Sequence, residues 1–340
     1  MIKIAIVGAG LWGHKHAQLY GERASVEVVA VCDVNEKRAS EFAAAYGIPK
    51  VYKNHTEMLK DSNCDAVSIV TPDFLHTEVA IDCANSGKHM LIEKPLATKR
   101  DEVYRILDAV DKNNVRVMVD FHNRWSPPFN NANELLLAGS LGNPVNAYFR
   151  LNDIKSVATD MLSWASKSSI LWFLGSHSLD TLNWLLNSQP KEVYAMSSRG
   201  VLDSLGVDAV DVYLTSIRYE NGVIAQMENG WITPNGNQCI NDIKFTMVCQ
   251  DGKIDIDASG NSMMNVTGNK RTDMSDCIVA NKVFGYHKGF AFESIYSFLD
   301  RLQSGEDFLV PLLDSARVTL TLLDIMESAQ TGKPVICRGL

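Results

Sequence analysis

A chain of 340 residues is too long for one ordinary core and suits two domains. Its 46% hydrophobic and 21% charged residues are those of a globular protein, and forty acids against 32 bases leave a net charge of -8, which argues against a nucleic-acid surface. No uncharged apolar run reaches the ~18 residues of a membrane span, the stretch after Met1 is too short for a signal segment, and the seven scattered cysteines (Cys32, Cys64, Cys83, Cys239, Cys249, Cys277, Cys337) form no Cys-x-x-Cys pair. The expectation is a cytoplasmic protein without disulfide scaffold, metal centre or membrane partner.

From residue 1 to about 120, apolar runs at 2–7, 26–32, 65–70, 89–92 and 115–119 alternate with helical patterns at 11–20, 35–45, 74–86 and 99–113. Runs apolar on both faces and separated by helix-length segments predict a doubly wound parallel sheet. After Phe121 strand-like runs follow one another at 145–151, 192–198, 209–219, 223–230, 243–250 and 253–257, with turns at Glu220-Asn221-Gly222 and Gln250-Asp251-Gly252. These read as a largely antiparallel sheet with a helix near 171–187 packed on one face. Two helices close the chain, at 290–303 with Phe292, Ile295, Leu299 and Leu302 on one stripe, and at 313–329. The fold class is α/β: a Rossmann-type domain over 1–121, then an α+β domain over 122–340 built on an open-faced sheet. No Gly/Ser tether separates them, so a substantial interface is expected.

Gly8-Ala9-Gly10-Leu11-Trp12-Gly13 follows the first strand and opens a helix, the context a dinucleotide fingerprint requires. Gly8 permits the tight turn, Gly10 lets the backbone approach a pyrophosphate, and Gly13 allows close helix–strand packing. The amides of that helix start, from Leu11 and Trp12 onward, favour a phosphate. Asp33 ends the second run, placed to accept hydrogen bonds from an adenosine ribose and to repel a 2′-phosphate. NAD is therefore the expected cofactor, with Lys37 and Arg38 keeping NADP open.

Two further groups lie where strands of such a sheet end: Val70-Thr71-Pro72-Asp73-Phe74-Leu75-His76 and Glu93-Lys94-Pro95. Thr71, Pro72, His76, Glu93 and Lys94 thereby join the cofactor-binding candidates. Lys94 reads equally as a surface cation beside a proline-stopped strand or as the group that polarises a substrate oxygen. With Gly8-x-Gly10-x-x-Gly13, Asp33 and Arg124, these residues resemble the glucose–fructose oxidoreductase/inositol dehydrogenase family (Gfo/Idh/MocA). The similarity continues through Gly175-Ser176-His177-Ser178-Leu179-Asp180, Gly252-Lys253-Ile254-Asp255, and the closing stretch Ala316-Arg317 to Pro334-Val335.

The resemblance implies hydride exchange between a nicotinamide and a sugar, cyclitol or related hydroxyl, and a homodimer or homotetramer formed through the second sheet. It implies Lys94 as the catalytic lysine and His177 as the proton acceptor. The chain departs from the family pattern at Phe173, where many members carry an aspartate four residues before that histidine. Three readings follow. In the first, His177 works without that partner, helped by Asp180 one turn onward (also a candidate substrate contact). In the second, catalysis rests on Lys94 with a residue elsewhere, for which Asp160, His122 and the pair Tyr286-His287 are candidates the sequence does not rank. In the third, catalysis is lost. His122 and Asn123 follow the last strand of the first domain, within reach of nicotinamide or substrate. Trp164 and Trp231 are candidate stacking faces for a sugar. His14, His16, His55 and His89 have no metal-ligand company in the sequence.

The leading expectation is an NAD(P)-dependent oxidoreductase acting on a secondary alcohol or its ketone. The alternatives are a bound-NAD enzyme that oxidises a sugar transiently to permit elimination, and a non-catalytic dinucleotide or sugar sensor. Substrate identity is left to the loops 152–170, 232–242 and 268–289.

Overall fold

A computed structural model describes residues 1–259, 265–267, 272–274 and 279–340. Cys277 and part of the expected substrate loop 268–289 lie outside the described residues. The chain divides into two compact units, one formed by 1–120 with 283–287 and 292–316, the other by 121–282 with 288–291 and 317–340.

In the first unit, β1 (Ile2–Val7), β2 (Val26–Cys32), β3 (Lys50–Tyr52), β4 (Ala66–Ile69), β5 (His89–Ile92) and β6 (Val117–Val119) form one parallel sheet in the order β3-β2-β1-β4-β5-β6. Ile4 to Val7, Ala66 to Ile69 and Met90 to Ile92 are all buried, as expected for strands covered on both faces. The intervening helices are α1 (Leu11–Gly21), α2 (Glu36–Tyr46), α3 (His55–Asp61), α4 (His76–Asn85) and α5 (Arg100–Asn113). Local chemistry sets their ends. The Asn35 side chain caps α2 by accepting from the Arg38 N–H at 3.0 Å, and Gly47 ends it in the left-handed conformation at φ 67°. β3 and α3 had no apolar run to announce them: three half-exposed residues and a seven-residue helix carry too little periodicity. Strand order reverses between β1 and β4, so the carboxyl ends of those two strands border the crevice where doubly wound sheets bind ligands.

In the second unit α6 (Pro127–Leu137) precedes β7 (Pro144–Asp153), and a π-helical turn at Leu171–Gly175 runs into α7 (Ser176–Leu186). β8 (Pro190–Ser198), the short α8 (Val201–Ser204), β9 (Val212–Tyr219), β10 (Ile224–Gly230), β11 (Asn241–Cys249) and β12 (Lys253–Asp257) follow. In chain order the short strands β13 (Asn265–Thr267), β14 (Thr272–Met274), β15 (Asn281–Val283) and β16 (Tyr286–Lys288) come next, then α9 (Phe290–Ser304), α10 (Leu312–Thr331) and β17 (Val335–Ile336), of which 283–287 and 292–316 belong to the first unit. The sheet order is β12-β11-β7-β10-β9-β8-β17, antiparallel except for the parallel pair β7–β10. Its inner face buries Phe149, Leu151, Met227 and Phe245, whereas Tyr194, Met196, Leu214 and Ile224 are exposed on the alternate positions. α7 lies on the inner face. Buried Asn229 donates from Nδ2 to the Ser178 hydroxyl and to the Leu151 carbonyl, both at 3.0 Å.

α9 carries its expected stripe, with Phe292, Ile295 and Leu299 buried. Within the first unit it is held by polar ties that no local pattern encodes. Tyr296 donates to Glu22 at 2.8 Å, and Arg116 donates to the Arg301 carbonyl at 3.0 Å. Among the described residues no helix is long and apolar enough to cross a membrane.

Around the first turn, steric room is the controlling quantity. A Cβ at Gly13 would lie 2.2 Å from the Gly8 carbonyl oxygen, whereas one at Gly10 meets nothing within 4 Å. Gly13→Val is expected to lower the urea-unfolding free energy by roughly 1–3 kcal/mol, the usual scale of overpacking. Gly10→Ala should change it by only about 0.5 kcal/mol.

Candidate active site

The glycine turn joins the end of β1 to α1. Gly8 adopts φ 111° and its absent side chain lets the Val70 carbonyl approach, since a Cβ there would lie 2.5 Å from that oxygen. Gly10 is the N-cap of α1 and provides no side-chain cap, so the first amides of the helix are left for another acceptor. Leu11 is exposed and Trp12 half-buried at the same end. At the end of β4 the Thr71 hydroxyl is buried with no hydrogen-bond partner among the described residues. Uncapped amides, open space before Gly10 and an orphaned hydroxyl fit an anionic phosphate ligand.

Asp33, buried at the end of β2, accepts from the Ala9 and Asn35 amides at 2.9 Å each and from both Arg38 Nε and Nη2, at 3.0 and 2.7 Å. Burial alone would raise its pKa. The Arg38 guanidinium and the two amides overturn that and hold the carboxyl below its ordinary range. Lys37 is exposed and pairs instead with Glu41 at 3.8 Å.

His76 is fully buried. Its Nδ1 lies 2.8 Å from the Pro95 carbonyl and its Nε2 3.0 Å from the Thr71 carbonyl. It therefore braces the turns after β4 and β5 against each other, and Pro72, half-buried, lies within the first of them. Lys94 is half-buried at the end of β5, between buried Glu93 and a cis peptide to Pro95.

Beside these residues lies a cluster absent from the sequence reading. His16 from α1, Glu93 from the end of β5 and Asp120 from the end of β6 are buried with ligand atoms within 4.8 Å of one another. His16 Nε2 is 3.4 Å from Glu93 Oε1, and Nδ1 faces the hydroxyls of Tyr20 at 3.3 Å and Ser68 at 3.4 Å. The expectation that His16 has no carboxylate company is corrected: those partners are 77 and 104 residues away (16 to 93, 16 to 120), and only the parallel sheet collects them. The one signal was an acid terminating the 115–119 run. Desolvation, then the Glu93 charge, push the Asp120 pKa well up; the Ser294 hydroxyl and Lys94 oppose this without overcoming it.

In the second unit, His122 opens a 3₁₀ turn, His122–Trp125, and His177 is buried in the first turn of α7. Their ring centroids are 4.4 Å apart at an interplanar angle of 44°. Asn123 is buried and donates to Thr181 Oγ1 at 3.2 Å, towards α7. Arg124 grips fully buried Asp180 with Nε–Oδ2 at 3.0 Å and Nη2–Oδ1 at 2.6 Å. Asp180 and Arg124 thus form a bidentate, buried ion pair. Phe173 packs against Trp231 at 5.8 Å and Trp164 at 6.4 Å between centroids. Trp164 is half-buried. Trp231 is fully buried, and its indole N–H has no acceptor among the described residues. Asp160 is exposed on the turn at Val157–Met161. His287, a further candidate, belongs to the first unit and is bonded there to Glu22 through its backbone N–H and its ring.

Residues 2–121 match the oxidoreductase-family model for an NAD-binding Rossmann fold, and residues 129–255 match the C-terminal domain model of the same family. The chain belongs to the Gfo/Idh/MocA family. Scyllo-inositol 2-dehydrogenase (NAD(+)) of Bacillus subtilis is 24% identical over 339 residues, covering 98% of this chain and 96% of that protein. Myo-inositol 2-dehydrogenase of Thermotoga maritima is 26% identical over 229 residues, 67% of this chain and 68% of its own. The fold is shared with scyllo-inositol dehydrogenase of Lactobacillus casei, solved with NAD(H) and scyllo-inositol, at a TM-score of 0.84, 17% identity and 99% coverage of both chains. This Gfo/Idh/MocA member is an NAD-dependent oxidoreductase, and its glycine turn, Thr71 and Asp33 are groups that could hold the cofactor.

Two outcomes follow from the carboxylates. An ionised Asp33 opposes a 2′-phosphate, so calorimetric titration should find NAD bound at least ~10-fold more tightly than NADP, with Asp33→Ala narrowing the gap. Asp120, whose folded pKa lies above its unfolded one, holds its proton better when folded, so its contribution to stability falls as pH rises above the unfolded value, by up to ~1.4 kcal/mol per pH unit. Asp120→Asn removes that penalty. Its unfolding free energy relative to wild type should increase from pH 5 to 8, as read from denaturant curves.

Proposed function

We propose that the protein catalyses hydride exchange between NAD and a secondary hydroxyl, or the matching ketone, of a sugar or cyclitol. The observation that carries this reading is Lys94, half-buried at the carboxyl end of β5, one strand from the Thr71 turn in the sheet order. The inositol dehydrogenases among the relatives support the substrate class. The elimination and sensor readings find no support in the comparisons.

Bound NAD supplies the two-electron acceptor, taking the carbinol hydrogen as hydride. Lys94 donates a hydrogen bond to the reacting oxygen and stabilises the negative charge that gathers there as the O–H bond breaks. His177 accepts the hydroxyl proton on its ring; the released O–H electron pair forms the carbonyl as the C–H pair departs. In the reverse direction the imidazolium returns that proton to the alkoxide oxygen. His122, Asn123 and Trp164 contribute to the walls around the substrate and nicotinamide, while His76 and Glu93 hold the strand-end turns. The same reading gives a cytoplasmic homodimer or homotetramer formed through the sheet face that exposes Tyr194, Met196, Leu214 and Ile224.

A panel of inositols and aldoses mixed with enzyme and NAD should yield NADH absorbance with at least one member. Lys94→Met should lower kcat on that substrate by ~10²-fold or more while NAD affinity is kept, the scale for losing a general acid–base group. No NADH from any member, or near-normal turnover by that variant, would count against the proposal.

A further inference from the structure

The carboxylate of Asp33 is already saturated. Its Oδ1 accepts from the Asn35 amide at 2.9 Å and from Arg38 Nη2 at 2.7 Å. Its Oδ2 accepts from the Ala9 amide at 2.9 Å and from Arg38 Nε at 3.0 Å. A carboxylate offers about four lone-pair sites, so none is left over for the hydroxyls of a ribose. Asp33 is also buried, its side chain only 4% exposed, so a ribose bonds it by replacing a donor rather than by adding one.

The donors differ in what holds them. The Ala9 amide belongs to the glycine turn, which Gly8 keeps against the Val70 carbonyl at a distance that leaves no room for a Cβ. The Asn35 amide belongs to the N-cap residue of α2, whose side chain accepts from the Arg38 N–H at 3.0 Å. Both are backbone groups, and neither withdraws without opening its turn. The Arg38 guanidinium instead ends a long side chain that is 50% exposed. Arg38 is therefore the donor that yields. The cations beside it are engaged elsewhere, Lys37 with Glu41 at 3.8 Å and Lys53 with Glu36 at 3.2 Å.

We propose that Arg38 occupies the ribose-acceptor sites of Asp33 until a cofactor displaces it, and that it is thereby a specificity-determining residue acting with opposite sign on NAD and NADP. The inference rests on Asp33 being the acceptor for the adenosine ribose. NAD brings two neutral hydroxyl donors in exchange for two bonds from a guanidinium, and the charge-assisted bonds are the stronger ones. The displaced guanidinium gains only water, so its presence weakens NAD binding. NADP brings an anion of its own. A 2′-phosphate gives the displaced guanidinium a bidentate acceptor, so Arg38 strengthens NADP binding. Asp33 favours NAD, and Arg38 limits how large that preference becomes.

Calorimetric titration of NAD and NADP at pH 8, well above the ordinary carboxylate range, compares wild type with Arg38→Met, Arg38→Lys and Asp33→Ala. Arg38→Met should bind NAD about threefold more tightly, the scale of a half-exposed ion pair, and NADP about tenfold more weakly. Arg38→Lys, a point charge without the planar fork, should fall between wild type and Arg38→Met for both cofactors. An NAD affinity that is unchanged or lower in Arg38→Met would overturn the proposal, as would an unchanged NADP affinity. NMR of the Arg38 Nε–H, assigned by its loss in Arg38→Met, gives a second readout. Saturation with NAD should move that resonance to the position of a solvated arginine, and a resonance that stays in place would sink the displacement. Asp33→Ala separates the two readings. If it leaves NAD affinity unchanged, Asp33 is not the ribose acceptor and the inference falls with that reading. If it weakens NAD binding while Arg38→Met binds NAD as wild type does, the acceptor stands and the role given to Arg38 fails.

Discussion

The cofactor half of the protein depends on a contact distance that only hydrogen permits. Gly8 lies against the Val70 carbonyl and Gly13 against the Gly8 carbonyl, at separations where a Cβ would sit 2.5 and 2.2 Å from oxygen. Those two approaches draw the start of α1 down between the ends of β1 and β4. The helix amides, the Thr71 hydroxyl and Asp33 then border one crevice at the point where strand order reverses. What that crevice offers an anion is backbone amides and a hydroxyl, a device that does not depend on the sign of the chain's net charge of -8.

Two aspartates at strand ends show how the surroundings decide what a carboxyl does. Asp33 and Asp120 both follow apolar strands and both are buried. Asp33 receives four donors, including a guanidinium, and is held ionised. At Asp120, burial and then the Glu93 charge push the pKa well up. Burial and a like charge act in the same direction at Asp120, whereas donated hydrogen bonds and a guanidinium reverse the effect of burial at Asp33.

In the second unit the buried Arg124–Asp180 pair is the corresponding constraint. Desolvating two ions is costly, and a bidentate geometry offsets much of that cost without making the pair a large source of stability. Its value is positional. It fixes a four-residue turn on α7 and with it the ring of His122 over His177. Phe173, apolar where the family pattern carries an acid, is absorbed by two tryptophans and leaves the helix intact.

Periodicity and turn chemistry in the sequence alone determined the alternating β/α order, the glycine turn, the later largely antiparallel sheet and the closing helices, because each of these is written within a window of about twenty residues. β3, α3 and α6 escaped because they are too short or too polar to show a period. Lys94 and His177 stood out in the sequence only through the motifs that contain them. What the sequence left open was which groups stand next to those two. His16 with Glu93 and Asp120, Arg124 with Asp180, and His122 with His177 are pairings across 55 to 104 residues, counted from 122 to 177 and from 16 to 120. Only the tertiary structure decided them, since side-chain proximity at such separations is set by sheet order and helix packing, which no local pattern records.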